Sequence, residues 1–477
     1  MINDILIFGT GYYWEIRKKY IIPSNNIIGF LDNDIRKKGE KVFGKIVYMP
    51  NECRKFEYDY ILIVSDKYES EMRSQLLSER VISSKILNWK QYVKKFLREN
   101  YIEYLMESIN KFDTLIVSNY LDYTGAPMTA IYAAYALQNK GKKVVLCAEN
   151  IDEKLERELR GKINIVLIPS IMFIINCKLK SIILQCNNVL VNTFVMYPVV
   201  CRIGTEKNIL WWIHESKENF ESRGNLSNSI TKDLQQKVSI MAVSKIAKNN
   251  FNIYFPNMIK GVMSYGIPDK KRKSTAKRTD KVIFALIGSI TVRKAQDIYI
   301  EAVKKLSSED KIRAEFYIIG KPVKNNYAEK ILEEIKGMDN VFITGEMTRT
   351  ELHSFFDKID IVVCPSREDP LPIVMTEAMM HMKPCIASDS TGTAEYIRDG
   401  INGFICKTGD IIDLRNKMQR FIRKPELIKP MGEEARKTYE EYFTMEVFSN
   451  RLDELMNDLA KEKKHLVLQN ESMMRIE

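Results

Sequence analysis

The chain has 477 residues, 45% of them hydrophobic and 28% charged, with a net charge of +11, which is the composition of an ordinary soluble globular protein. Its eight cysteines (Cys53, Cys147, Cys177, Cys186, Cys201, Cys364, Cys385 and Cys406) show no CxxC and no metal-ligand spacing, so they read as buried small hydrophobes in a reducing cytoplasm. The basic balance favours anionic partners: nucleotides, nucleic acid or an anionic membrane surface.

Length alone allows two or three domains with sizeable cores. Apolar runs alternate with helical patterns almost throughout, which predicts an α/β protein with parallel sheets. In the first block, residues 1–100, Ile5–Phe8 reads as a strand, followed by Gly9-Thr10-Gly11 and a helix through Arg17. Ile27–Leu31 and Tyr60–Val64 are further strands, so the block is a small Rossmann-like unit. The dinucleotide fingerprint lacks its third glycine, because Trp14 stands there, although Asp32 lies about where a ribose-binding acid belongs. Trp14 would crowd the helix–strand contact, which argues against tight NAD binding. The N-terminus has no basic region followed by a long apolar segment, so no signal peptide is expected. The apolar stretch near residues 163–175 contains a proline and is too short to span a bilayer.

The second block begins with the strand Thr114–Val117. The turn Gly125-Ala126-Pro127 follows, then a helix expected over Met128–Asn139. Further strands are expected at 143–147, 163–168, 189–191, 210–213 and 240–243. Trp211-Trp212-Ile213-His214-Glu215 ends one of them, and a histidine at a strand's C-terminal end faces the ligand crevice of such folds. A satisfied structural histidine is the alternative. Residues 269–281 are polar and basic and read as a linker. No aromatic residues interleave with them to stack on bases, so nucleic acid is not expected as a partner.

The third block has strands at 282–288, 316–319, 341–343, 361–364, 384–387 and 403–406, and a charged helical stretch at about 433–463. Gly288-Ser289-Ile290-Thr291-Val292-Arg293-Lys294 joins a strand to a helix expected at about 295–306. A glycine and two cations at such a turn suit a diphosphate, Arg293 by bidentate contact and Lys294 as a point charge. After the strand ending at Cys364, Asp369 stands before Pro370 and Pro372, and Glu377 lies one turn into the following helix. The helix N-terminus at Ile373 and Val374 offers unpaired N–H groups to a phosphate. Asp369 and Glu377 can accept hydrogen bonds from sugar and ribose hydroxyls, or can simply complement the helix dipole.

Taken in order, Tyr123-Thr-Gly-Ala-Pro127, Trp212-Ile-His214-Glu215, Ala242-Val-Ser244, Tyr265-Gly-Ile267, Gly288 to Lys294, Gly345-Glu346, Cys364 to Asp369, Thr376-Glu377-Ala378 and Gly400 to Gly403 resemble a glycosyltransferase of family 4 over about residues 113–448. The resemblance implies the GT-B fold: two facing Rossmann-like domains, with the small N-terminal Rossmann-like domain additional. The boundaries are 1–100, 110–268 for the acceptor side, with a C-terminal helix at about 440–463 packing back on it, and 281–439 for the donor side. It implies retention of configuration, no metal and no cofactor beyond the nucleoside-diphosphate sugar, and a saccharide or lipid-linked glycan acceptor.

By the same resemblance, Gly288, Ser289, Arg293, Lys294, Asp369, Ile373, Val374 and Glu377 bind the donor. Gly125 and His214 stand on the acceptor side, and His214, Lys294 and Asp369 carry the chemistry. Two departures stand out: Asp369 replaces the family's first glutamate, with Glu368 just before it, and Ser289 stands where arginine is common. Residues 1–100 resemble the small nucleotide-binding domain of some sugar-modifying acyltransferases. The expected location is cytoplasmic, with peripheral contact at the inner face of the cell membrane. The rival readings are a nucleotide-sugar 2-epimerase and a non-catalytic GT-B partner subunit.

Overall fold

A computed structural model of the chain describes residues 2–21, 23, 25–97, 101–105, 111–173, 177–203, 208–221, 238–270, 280–323 and 326–474. The linker residues 271–279 lie outside them. The chain divides into two compact units: residues 1–128, 143–191 and 195–207, and residues 129–142, 192–194 and 208–477.

The first unit opens with β1 (Asn3–Phe8), β2 (Asn25–Leu31), β3 (Lys41–Val42), β4 (Lys45–Tyr48), β5 (Tyr60–Ile63) and β6 (Ile86–Asn88), in the order β3-β4-β2-β1-β5-β6. β1 pairs in parallel with β2 and β5, and β3 runs antiparallel to β4. Ile5 and Ile7 pack into the apolar layer that holds Trp14, while Leu6 and Phe8 pack into the layer that holds Cys53 and Met72. A strand with both faces covered must be apolar at every position, which is why Ile5–Phe8 is a continuous run. Helix α1 (Tyr12–Ile21) follows Gly11, and its Trp14 fills the contact with Phe30 at a ring separation of 4.8 Å. The Asp32 carboxylate is taken up by its own loop: it accepts from Thr10 N (3.0 Å), Thr10 Oγ1 (2.5 Å) and Lys37 Nζ (2.8 Å).

Next come β7 (Glu103–Leu105), β8 (Thr114–Val117), β9 (Tyr120–Leu121), β10 (Val144–Ala148), β11 (Asn150–Ile151), β12 (Asn164–Leu167) and β13 (Asn188–Asn192). β13, β8, β10 and β12 pair in parallel in that order, β7 adds an antiparallel edge to β12, and β9 pairs with β11. Arg17 of α1 ties the two sheets of this unit together. It is 1% exposed, with Nε 3.0 Å from Glu149 Oε1 and Nη2 2.5 Å from Asp66 Oδ2. Tyr20 Oη donates to the Glu149 carbonyl (3.0 Å), and Trp89 Nε1 to that of Pro169 (3.3 Å).

The second unit takes most of α2 (Gly125–Gln138) and the parallel strands β14 (Asn208–Ile213), β15 (Val238–Ala242) and β16 (Ile259–Val262). The α2 helix starts at Gly125 rather than Met128, because Pro127 has no helical N–H to lose in a first turn. A parallel sheet follows: β17 (Val282–Ile287), β18 (Ala314–Ile319), β19 (Val341–Gly345), β20 (Ile361–Cys364), β21 (Cys385–Ser388) and β22 (Gly403–Cys406), in the order β19-β18-β17-β20-β21-β22. The order reverses between β17 and β20, so the C-terminal ends of these two strands form a topological switch point, where open α/β sheets hold their ligands. Gly288 follows β17 directly, and the segment 365–377 follows β20. Among the helices of this region, three position the site: α3 (Gln296–Lys304), α4 (Arg349–Phe355) and α5 (Ile373–Met380).

The charged helical stretch expected at about 433–463 forms two helices, α6 (Ile428–Tyr442) and α7 (Met445–Met474). The break frees the backbone at Phe443 and Thr444, where the Ile267 N–H donates to the Phe443 carbonyl (2.9 Å) and Ile267 bridges Thr444. Beyond it α7 packs on β14, with Phe448 and Trp212 rings 5.7 Å apart. No described helix is long and apolar enough to cross a membrane.

Six cysteines are buried, as expected, but Cys201 is exposed, because it stands at the C-terminal cap of the short helix Tyr197–Val200. The side chain of Cys177 lies outside the described residues.

Close backbone approach sets one more sequence position. A Cβ on Gly392 would lie 1.8 Å from the Pro370 carbonyl oxygen, and Gly392 N donates to the Asp369 carbonyl (2.9 Å). Gly392→Ala is therefore expected to cost about 1–3 kcal/mol in a urea melt, as overpacking does. An unchanged midpoint would show that this loop yields freely.

Candidate functional site

The switch point is built from two loops. After β17, Gly288 takes φ +150°, and a Cβ there would lie 3.2 Å from Lys294 Cε, so the glycine leaves room for that side chain. A 3-10 turn, Val292–Lys294, precedes the helix expected at about 295–306, and α3 begins at Gln296. Between them Ala295 is left-handed (φ +58°), a conformation that costs a residue with a Cβ roughly 1–2 kcal/mol. Buried Gln296 braces the loop, donating to the Ser289 carbonyl (3.0 Å) and accepting from Thr291 N (3.2 Å). Ser289 itself is exposed.

This turn delivers both cations to one carboxylate. Lys294 Nζ is 2.7 Å and Arg293 Nη1 3.0 Å from Asp369 Oδ2. Arg293 also donates to the Glu368 carbonyl (3.1 Å), so its guanidinium lies at the switch point although position 289 carries none. Burial works to raise the Asp369 carboxyl, but Lys294 and Arg293 outweigh it and hold the group below the usual aspartate range. Arg367 secures the loop from outside, through the Val292 carbonyl (2.7 Å) and Asp297 (2.6 Å).

Helix α5 starts at Ile373 with Pro372 as N-cap and no side-chain cap, which leaves its first N–H groups open to an anion. Ile373 is buried and Val374 half-buried. One turn in, Glu377 is 2% exposed; one of its oxygens pairs with Arg349, and Oε2 has no hydrogen-bond partner. Burial raises this carboxyl, with Arg349 and Lys270 pulling against it. Tyr265 steadies the approach, its hydroxyl 3.1 Å from the Leu371 carbonyl and 3.2 Å from Thr376 Oγ1.

Glu368 does different work from its neighbour. It accepts from Lys217 N (2.6 Å) and Asn250 Nδ2 (2.5 Å), linking the β20 loop to the segment after β14. His214 ends that strand. Its Nε2 is buried without a partner, its ring lies edge-on to Trp212 at 4.4 Å, and burial pushes its pKa down to about 3. The imidazole is therefore neutral at physiological pH. A depressed histidine pKa means the unfolded chain binds the proton first, so His214 removes stability as pH falls below about 6.5. His214→Asn is expected to lessen the acid loss of stability between pH 6 and 4 in thermal melts. An identical acid limb would mean that the site opens before it titrates.

Gly125 lies in the first unit, at the first turn of α2, with open space where a Cβ would be. Arg349, Glu215 and Thr193 were not anticipated from the sequence. The Glu215 carboxylate accepts from Phe194 N (2.6 Å) and His214 N (2.9 Å), holding two chain segments together. Thr193 between them is left-handed (φ +81°), an outlier for a β-branched residue, and its buried hydroxyl is unpartnered. Glu215 was legible beside His214; nothing local marks Arg349 or Thr193.

A parallel doubly wound sheet, two cations on a buried acid at its switch point and an uncapped helix beside a second acid define an α/β protein with an anion-binding arrangement at its switch point. Residues 112–248 match the family described as glycosyl-transferase family 4, residues 268–438 match glycosyl transferases group 1, and residues 1–87 match C2185-like, N-terminal. Alpha-D-kanosaminyltransferase of Streptomyces kanamyceticus is 30% identical over 33% of this chain and 40% of its own length. N-acetyl-alpha-D-glucosaminyl L-malate synthase of Bacillus anthracis is 22% identical over 41% of this chain and 50% of its own. The chain thus spans half or less of the length of these relatives. The Anabaena HepE structure with UDP and glucose superposes with a TM-score of 0.61 at 15% identity, covering 73% of this chain and all of that one. Residues 112–248 and 268–438 thus belong to glycosyltransferase families, and the chain has the fold of the GT-B structures it superposes on.

Proposed function

We propose that the protein transfers a sugar, with retention and without a metal, from a nucleoside-diphosphate sugar to a hydroxyl of a saccharide or lipid-linked glycan. The observation that carries this reading is the switch-point cluster: Lys294 and Arg293 on Asp369, beside the open α5 N-terminus and the free oxygen of Glu377. Lys294, Arg293 and the helix N–H groups stabilise the leaving diphosphate as the bond from C1 to the phosphate oxygen breaks. The acceptor oxygen bonds to C1 on the same face, and its proton leaves to the departing diphosphate. Asp369 holds hydroxyls of the donor sugar, Glu377 those of the ribose, and neutral His214 lines the acceptor side. UDP is the first nucleotide to try, because HepE holds it. The +11 charge supports work at the anionic inner face of a membrane, where lipid-linked acceptors are anchored.

The test is release of nucleoside diphosphate from a panel of UDP-, GDP-, ADP- and dTDP-sugars. Wild type is expected to turn over at least one, and Glu377→Ala to lose both binding and turnover while still melting cooperatively. Unchanged turnover in Glu377→Ala would remove this reading. Donor binding without turnover by wild type would make the chain a non-catalytic partner subunit.

A further inference from the structure

Arg349 is the first residue of α4, and the cap of that helix fixes it. Thr348 Oγ1 accepts from Glu351 N (3.3 Å), while the Glu351 carboxylate accepts from Thr348 N (2.7 Å). From this start the Arg349 guanidinium reaches Glu377 Oε1. Four residues on, His353 Nδ1 stands 3.1 Å from His381 Nε2, and His381 lies four residues beyond Glu377. Helices α4 and α5 are thus joined at two rungs, one turn apart. The His381 ring stacks on Phe356 at 4.6 Å, which stiffens the second rung.

The first rung leaves the acid half used. Glu377 is 2% exposed, gives one oxygen to Arg349 and keeps Oε2 without a partner. A buried carboxylate with no cation beside it takes up a proton. The charged and titratable groups around it are few. Arg349 comes from α4 and Lys270 from the segment after β16, while Tyr132 of α2 and Tyr265 interact electrostatically with it or with its arginine. Tyr265 is already engaged by the Leu371 carbonyl and Thr376.

We propose that Arg349 is a positioning residue of the donor site: it holds one oxygen of Glu377 so that the other stays free to accept the ribose hydroxyls of a bound nucleotide. The inference rests on the reading of Glu377 given above. Arg349 touches the acid and not the reacting atoms, so its effect falls on nucleotide affinity and on the pH dependence of that affinity. Without Arg349 the buried carboxyl keeps its proton to higher pH and loses acceptor capacity. Binding by the variant therefore weakens as pH falls and recovers as pH rises.

The test is calorimetric titration with UDP, GDP, ADP and dTDP at pH 6.5 and 8.5. Wild type, Arg349→Met, Arg349→Lys and Glu377→Ala are compared, each first shown to melt cooperatively. Taking the ratio to wild type at each pH cancels the titration of the phosphate itself, whose second pKa lies near 6. Arg349→Met is expected to bind at least tenfold more weakly than wild type at pH 6.5, with the deficit shrinking at pH 8.5, and Arg349→Lys is expected to recover most of the affinity. Equal affinity at both values, tighter binding, or a loss that is the same at both values and not recovered by lysine would overturn the inference while leaving Glu377 in place. Nucleotide binding by Glu377→Ala equal to wild type, or none by wild type, would bring down the donor-site reading and this inference together. If Arg349→Met does not fold, Arg349→Gln takes its place in the same comparison.

Discussion

Lys294→Met is expected to lower kcat for donor turnover by about 10²–10³-fold, the effect of removing one preorganised charge from a developing anion. The reason is placement. Gly288 makes room for the lysine stem, and the 3-10 turn points Nζ at Asp369 Oδ2, 2.7 Å away. Asp369 partly neutralises the lysine. On the proposed function the same ammonium faces charge that develops only as the diphosphate leaves, so the loss should fall on kcat more than on KM. Lys294→Arg should restore part of the rate, because it keeps the charge but not the compact head. Equal kcat in Lys294→Met would show that Arg293 and the helix N-terminus alone stabilise the leaving group.

The second large effect concerns stability. Arg17→Met is expected to destabilise the protein by about 3–5 kcal/mol in a urea melt, because it strands a buried acid. Glu149 is 2% exposed, and Arg17 is its ion-pair partner at 3.0 Å. Burial raises the Glu149 carboxyl even with Arg17 present. Without the arginine the folded state favours the protonated form still more. A group with a raised folded pKa contributes its stability at low pH and loses it as pH rises, so the variant should be relatively more stable at pH 5 than at pH 8. The double substitution Arg17→Met with Glu149→Leu should recover most of the loss, since a packed apolar pair can replace a buried ion pair. If the single variant melts like wild type, the small sheet and its neighbour are not joined through this pair.

Much of this arrangement was legible in the chain. Continuous apolar runs such as Val282–Ile287 and Ile361–Cys364 mark strands covered on both faces, and both appear with near-identical bounds. Two prolines followed by helix formers place the start of α5 and hence Glu377. Short elements escaped. The β3–β4 hairpin, β7 and the β9–β11 pair span two to four residues each, too few for a periodic signal. The helix expected at about 295–306 is present as α3, but that Ala295 before it is left-handed could not be read from the sequence. The loop imposes that conformation through Gln296.

The sequence by itself determined the class of fold, the order of the motifs and which acids and cations stand at strand ends. Those features follow from local chemistry: apolar periodicity, backbone freedom at glycine, and helix starts at proline. Only the tertiary structure decided the partners. Arg349 meets Glu377 across 28 positions, Lys294 meets Asp369 across 75 and Arg17 meets Glu149 across 132. Such pairs are chosen by the order of strands in a sheet and the helices packed on it, which no local pattern encodes. The motifs told where charge would stand, and the packing told which oxygen of Glu377 was taken and which was left free.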